Sequence, residues 1–152
     1  MTKMKFVLLI ISLVLFFSCS NEPQPIHFNE DECDYCRMII SDQRYGAELM
    51  TYKGKAYKFD SVECLSAYLQ EEKQGSKDVH SLLTIDFNNP EIFIEATQAW
   101  YLHSDLLKSP MGLNFSAFHD KELAQTVKNV YPGELVRWQK VNEIVKDKWL
   151  NK

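Results

Sequence analysis

Apolar and polar positions divide the chain into a leader, a polar stretch and a body of short elements. Phe6 to Phe17 is apolar except at Ser12. Ser20 to Glu30 carries Asn21, Pro23, Gln24, Pro25 and Asn29 and offers little to bury. From Tyr45 to Tyr52, Ala47 and Leu49 alternate with Glu48 and Thr51, the two-residue period of a strand. Lys53-Gly54-Lys55 signals a hairpin, and Ala56 to Phe59 is the returning strand. Asp60-Ser61-Val62-Glu63 is a capping residue followed three positions later by Glu. Val62, Leu65, Ala67, Tyr68 and Leu69 then form the apolar face of a helix, with Gly75 as its stop. Val79 to Phe87 is rich in strand formers and ends at Asn88-Asn89-Pro90.

The same order of elements returns in the second part. Ile92, Ile94 and Ala96, then Trp100 to His103, supply strand-forming residues. Ser109-Pro110-Met111-Gly112 reads as a turn, and Asn114 to Phe118 as a second short strand. Asp120 caps a helix with Leu123, Ala124, Val127 and Val130 on one face. Tyr131-Pro132-Gly133 stops it, and Glu134 to Trp138 is a final strand. Val141, Ile144, Val145, Lys148 and Trp149 then fall at helical spacing. The expectation is an α+β fold: two pseudo-repeated ββαβ halves over about 31–88 and 89–138, packed as one small unit over 31–152, with a C-terminal helix over 139–150.

Composition narrows the function. Hydrophobic residues make up 45% of the 152 positions, enough for a core, and charged residues make up 25%. The net charge of -4 and the lack of a basic patch argue against a nucleic-acid partner. Lys3 and Lys5 precede the apolar leader. At about 12 residues that leader is too short to span a membrane, which takes roughly 20. Residues 1–18 therefore read as a signal peptide. Ser18-Cys19 directly after the leader resembles a bacterial lipobox, which implies cleavage before Cys19 and lipidation of its thiol. Several acyl chains would then hold the protein on a membrane. Residues 19–30 read as an extended, flexible tether.

Three cysteines remain once Cys19 is acylated: Cys33, Cys36 and Cys64. An odd count outside the cytoplasm disfavours a disulfide scaffold. The Cys33-x-x-Cys36 pair can serve a redox disulfide, a zinc half-site or a soft-metal site. Zinc normally wants a second ligand pair, and none follows. A redox pair usually opens a helix after a strand, whereas Glu30, Asp31 and Glu32 precede this one. Met38 tips the balance, because thiolate and thioether together favour Cu(I). On an extended backbone Cys36 and Met38 would share a face. The plainer alternative makes Met38 a core residue beside Ile39 and Ile40. Cys64 falls in the first turn of its helix, where the helix N-terminus is expected to lower a thiol pKa. It is either a third sulfur ligand or a buried packing thiol. Met111, apolar in a turn, is either a thioether ligand from the second half or a lid on the core. His103 and His119 are weaker candidates for a nitrogen ligand.

These motifs resemble the NosL family, the nitrous oxide reductase accessory lipoproteins. The resemblance is carried by Cys33-Asp-Tyr-Cys36-Arg-Met38-Ile-Ile, Tyr45-Gly-Ala, Lys58-Phe59-Asp60, Glu63-Cys64-Leu65 and Ser109-Pro110-Met111-Gly112. It runs from about Asp31 to Trp138. It implies two ββαβ halves and a periplasm-facing, lipid-anchored Cu(I) chaperone without catalysis. The implied client is the catalytic copper-sulfur centre of nitrous oxide reductase, with that enzyme and its maturation ABC transporter as partners. It ranks Cys36 and Met38 above Cys33 and favours Met111 as part of the site. The competing reading is a thiol enzyme, a disulfide reductase or an organomercurial lyase-like protein. It would use Cys33 and Cys36, with Asp60 as proton donor.

Overall fold

A computed structural model gives the fold over residues 22–71 and 78–151, which are the described residues throughout. The signal peptide, Cys19 and the Gly75 helix stop lie outside them. Four antiparallel strands form a first sheet: β1 (Ala47–Thr51), β2 (Ala56–Phe59), β3 (Val79–Asp86) and β4 (Asn89–Glu95), in the order β2-β1-β3-β4. Helix α1 (Val62–Glu71) connects β2 to β3. Three strands form a second sheet: β5 (Trp100–His103), β6 (Phe115–Phe118) and β7 (Glu134–Val136), in the order β6-β5-β7. Helix α2 (Lys121–Val130) connects β6 to β7. Helix α3 (Trp138–Val145) follows and runs into a π-helical turn, Lys146–Leu150.

The α+β class and the pseudo-repeat stand. In each half the first strand is central, the second flanks it, and the strand after the helix flanks it on the other side. The strand Asn89–Glu95 sits in the first sheet, not the second. The Asn88-Asn89-Pro90 segment therefore turns a hairpin, with Thr84 opposite Ile94 and Ile85 opposite Phe93. The division between sheets falls after Glu95.

Local chemistry explains the element ends. The β1–β2 turn uses Gly54 at φ 77, a left-handed conformation that costs glycine little. The Asp120 side chain accepts from the backbone N–H groups of Glu122 and Leu123 and starts α2. The capping box expected at α1 is absent. Glu63 is buried and its carboxyl reaches into the second half instead of back to the cap. The Ser66 hydroxyl donates to Asn142 Oδ1 of α3 at 2.6 Å, tying the two helices together.

The expected free tether is docked from Gln24 onward. Its backbone N–H donates to the Glu48 carboxylate, and the Lys58 ammonium donates to the Pro25 carbonyl at 2.7 Å. Ile26 is buried, and a Cβ on Gly46 would come within 2.7 Å of its Cδ1. Glycine at position 46 thus opens the seat for Ile26, with Phe28 and Ile85 beside it. Among the described residues, no helix is long and apolar enough to cross a membrane.

Candidate metal centre

The Cys33–Met38 segment is a closed loop at the outer edge of β2. The Cys33 N–H donates to the Met38 carbonyl at 2.8 Å, and the Arg37 N–H to the Cys33 carbonyl at 3.0 Å. Arg37 supplies the bend with φ 64, left-handed and costly for a non-glycine residue. Asp34 fixes the loop to the strand: its N–H donates to the Lys58 carbonyl and its carboxylate accepts from the Lys58 N–H, both at 2.8 Å. That pairing also covers the exposed edge of the first sheet.

The loop faces the start of α1. Cys33 and Cys64 are buried, Cys36 is partly exposed, and their three Sγ atoms lie within 4.8 Å of one another. All three thiols are free. A metal–thiolate bond of about 2.3 Å would set three sulfurs around one ion at about 4 Å separations. The trio therefore needs only a small contraction to share an ion.

The electrostatics place one thiolate in the trio. A hydrogen bond from the Cys64 thiol holds Cys33 down to about 5, against burial. The backbone N–H of Cys36 donates to the Cys33 sulfur at 3.5 Å, and the N–H groups of Asp60 and Tyr35 favour the anion further. Cys64 is pushed far up by donating to Cys33 and by burial. Cys36 is raised mainly by burial. The expectation that the helix start would lower the Cys64 pKa is thus reversed. Three close sulfurs cannot all ionise without a cation, and the charge rests on Cys33. Asp60, buried beside Cys33, is lifted to about 6 by burial and by that charge, and its Oδ1 has no hydrogen-bond partner among the described residues. A cation shared by the three sulfurs would balance the Cys33 thiolate and favour loss of the two remaining thiol protons.

The other candidates are placed as follows. Met38 is 46% exposed, so core packing does not account for it. Cys36 and Met38 do not share the face of an extended strand, because the left-handed Arg37 lies between them. Met111 is partly buried and packs on the same apolar cluster that contains Cys33 and Cys64. His103 stacks on Phe115 at 4.6 Å between ring centres, and His119 pairs with the buried Asp86 through Nδ1. Neither histidine joins the sulfur cluster. Sequence reasoning missed the support behind the loop, in particular the parallel stack of Tyr35 on Trp149 with ring centres 6.5 Å apart. The Trp149 position in the apolar spacing of the last helix was the available signal.

An α+β body with three thiols gathered between an edge loop and a helix start defines a small soft-metal-binding module rather than a disulfide scaffold. The model of the NosL family matches residues 25–145, and the chain belongs to that family. It is similar to the copper-binding lipoprotein NosL of Stutzerimonas stutzeri, with 28% identity over 127 residues, covering 79% of this chain and 67% of the relative. Its fold matches the crystal structure of the copper chaperone NosL from Shewanella denitrificans with a TM-score of 0.66 and 23% identity. That match covers 82% of this chain and 98% of the other.

Proposed function

We propose that the protein is a lipid-anchored Cu(I) chaperone on the periplasmic side of a membrane. It delivers copper for assembly of the copper-sulfur centre of nitrous oxide reductase. Its partners are that enzyme and the ABC transporter of its maturation system. The observation that carries this reading is the convergence of the Cys33, Cys36 and Cys64 sulfurs at the edge of the domain. Soft, polarisable sulfur selects monovalent copper over hard cations. Family membership and the relatives' names, which describe copper binding and delivery and not catalysis, support a binding protein over a thiol enzyme.

The site suits transfer. Cys33 and Cys64 lie inside, while Cys36 is partly exposed and Met38 and Ile39 are about half exposed beside it. An incoming acceptor ligand can reach copper from the Cys36 side while the inner thiols still hold it. A site enclosed on every side would lack that exchange route. Cys33 and Cys36 with Met38 form the loop ligands, Cys64 the helix ligand and Met111 the ligand from the second half. Cys19 is the lipidation site, and the relative's designation as a lipoprotein supports the anchor.

The test is Cu(I) titration of the reduced protein against a chromophoric chelator, followed by transfer to copper-free nitrous oxide reductase. One tightly held Cu(I) per chain, surrendered to the reductase system, is expected. No uptake by the reduced protein would refute the chaperone reading, and uptake without transfer would refute the client.

A further inference from the structure

Glu63 is a fully buried carboxylate next to Cys64, and a side chain of this type is rarely buried without a partner. Its Oε1 accepts from the Ser109 hydroxyl at 2.6 Å and from the Phe115 N–H at 3.5 Å. The Ser109 hydroxyl in turn accepts from the Gly112 N–H at 3.2 Å and the Asn114 N–H at 2.9 Å. A serine hydroxyl has one donor and two acceptor sites, and all three are in use. Asn114 Oδ1 also accepts from the Ser109 N–H at 3.3 Å. Ser109 is therefore the hub of the turn that carries Met111, and Glu63 is what the hub is tied to. Two left-handed residues, Gly112 at φ 81 and Asn114 at φ 63, keep the turn tight.

Leucine at 63 and alanine at 109 would bury the same surface without the cost of desolvating a carboxyl. The polar pair instead specifies one position for the turn. We propose that Glu63 is a positioning residue: through Ser109 it holds the Met111 turn against the helix start that carries Cys64, so that the thioether of the second half meets the thiol trio of the first. This rests on the proposed copper site and goes further by naming what sets the place of its most distant ligand. Glutamine at 63 keeps an accepting Oε1 for the Ser109 hydroxyl.

The experiment uses the whole reduced chain with ¹³C-methyl methionine, read by NMR with and without one equivalent of Cu(I), alongside competition affinity. In the wild type the Met111 methyl resonance shifts on copper addition. Ser109→Ala abolishes that shift and weakens affinity about 10-fold, the lower end for loss of a supporting hydrogen bond at a metal site. Glu63→Gln keeps both the shift and the affinity. In a Met111→Leu background Ser109→Ala adds no further loss. Glu63→Leu, which breaks the Glu63–Ser109 bond and leaves the bonds of Ser109 within the turn, abolishes the shift as well, and a Met111 shift that survives it overturns the proposal. A Met111 shift that survives Ser109→Ala overturns the proposal, as does an equal loss of affinity in the Met111→Leu background. Copper bound without any Met111 shift in the wild type overturns it too, while leaving the thiol site intact; absence of copper binding removes the site itself.

Discussion

The two halves run the same course of strand, strand, helix, strand, yet only one of them gathers thiols. Set side by side, Phe59 ends β2 as Phe118 ends β6, and α1 begins three residues later as α2 does. Cys64 then corresponds to Leu123. The six residues from Val62 to Ala67 are all buried in α1, whereas Ala124 alone is buried in α2. The helix α1 is enclosed by the cysteine loop and by α3, through Ser66 to Asn142. Helix α2 faces solvent along most of its length. A helix start gathers thiols here because its neighbours both bury it and bring two further cysteines to it. The repeat supplies a scaffold, and the loop before β1, together with the C-terminal segment, sets one copy of it apart as the candidate site.

The strongest break of this contrast is at the aligned pair. Cys64→Ser and Cys36→Ser should each lower Cu(I) affinity by about 100-fold, taking roughly 3 kcal/mol per ligand from the binding energies of thiolate sites. Leu123→Ser should leave it unchanged. Chelator competition reads both, and equal effects at 64 and 123 would erase the distinction between the halves. Next comes the proton balance. Cys33 is already ionised at neutral pH, whereas Cys36 and Cys64 hold their protons. Copper binding at pH 7 should therefore release about two protons, so affinity rises as pH rises, by up to about 100-fold per unit. Calorimetry in buffers of different ionisation enthalpy measures this, and Cys64→Ser should release one proton fewer.

A smaller effect separates the two central strands. Glu48 of β1 corresponds to Tyr101 of β5, and both are buried. Burial lifts the Glu48 carboxyl to about 7 from 4.5, so the folded state binds its proton more tightly than the unfolded chain does. The stability it contributes is complete below pH 4.5 and is lost as pH rises through about 7. Glu48→Gln should therefore raise stability at pH 8 by on the order of 2 kcal/mol and change little at pH 4. Urea melts at the two pH values check it. The smallest effect is at the second helix: Asp120→Ala should cost about 1 kcal/mol of stability by removing its cap, with copper affinity untouched.

Much of this architecture was legible in the chain, because it depends on local pattern. The β1–β2 hairpin at Gly54, the Asp120 cap and the Tyr131-Pro132-Gly133 stop each follow from a few adjacent residues. The docking of the tether is not legible locally, because Ile26 is buried and Phe28 packs only against a seat opened by Gly46, which is distant in sequence. The sheet that β4 joins is not legible either, because short apolar runs do not specify their pairing partner. In the site, the candidate status of Cys33, Cys36 and Cys64 was visible, but their charge was not. The Cys64 pKa is governed by Cys33, a contact made by tertiary structure, and it overrides the helix-start effect. Glu63 looked like half of a capping box because sequence spacing cannot show a partner 46 residues away.

The central claim is that one copper ion is held by the thiols of the first half. Copper K-edge X-ray absorption of the protein loaded with one Cu(I) tests it most directly, comparing wild type with a Cys33→Ser, Cys36→Ser, Cys64→Ser triple variant. The account predicts an all-sulfur shell of at least three ligands at about 2.3 Å in the wild type and no bound copper in the variant at equal chelator concentration. A nitrogen- or oxygen-dominated shell, or copper retained by the variant, would contradict it.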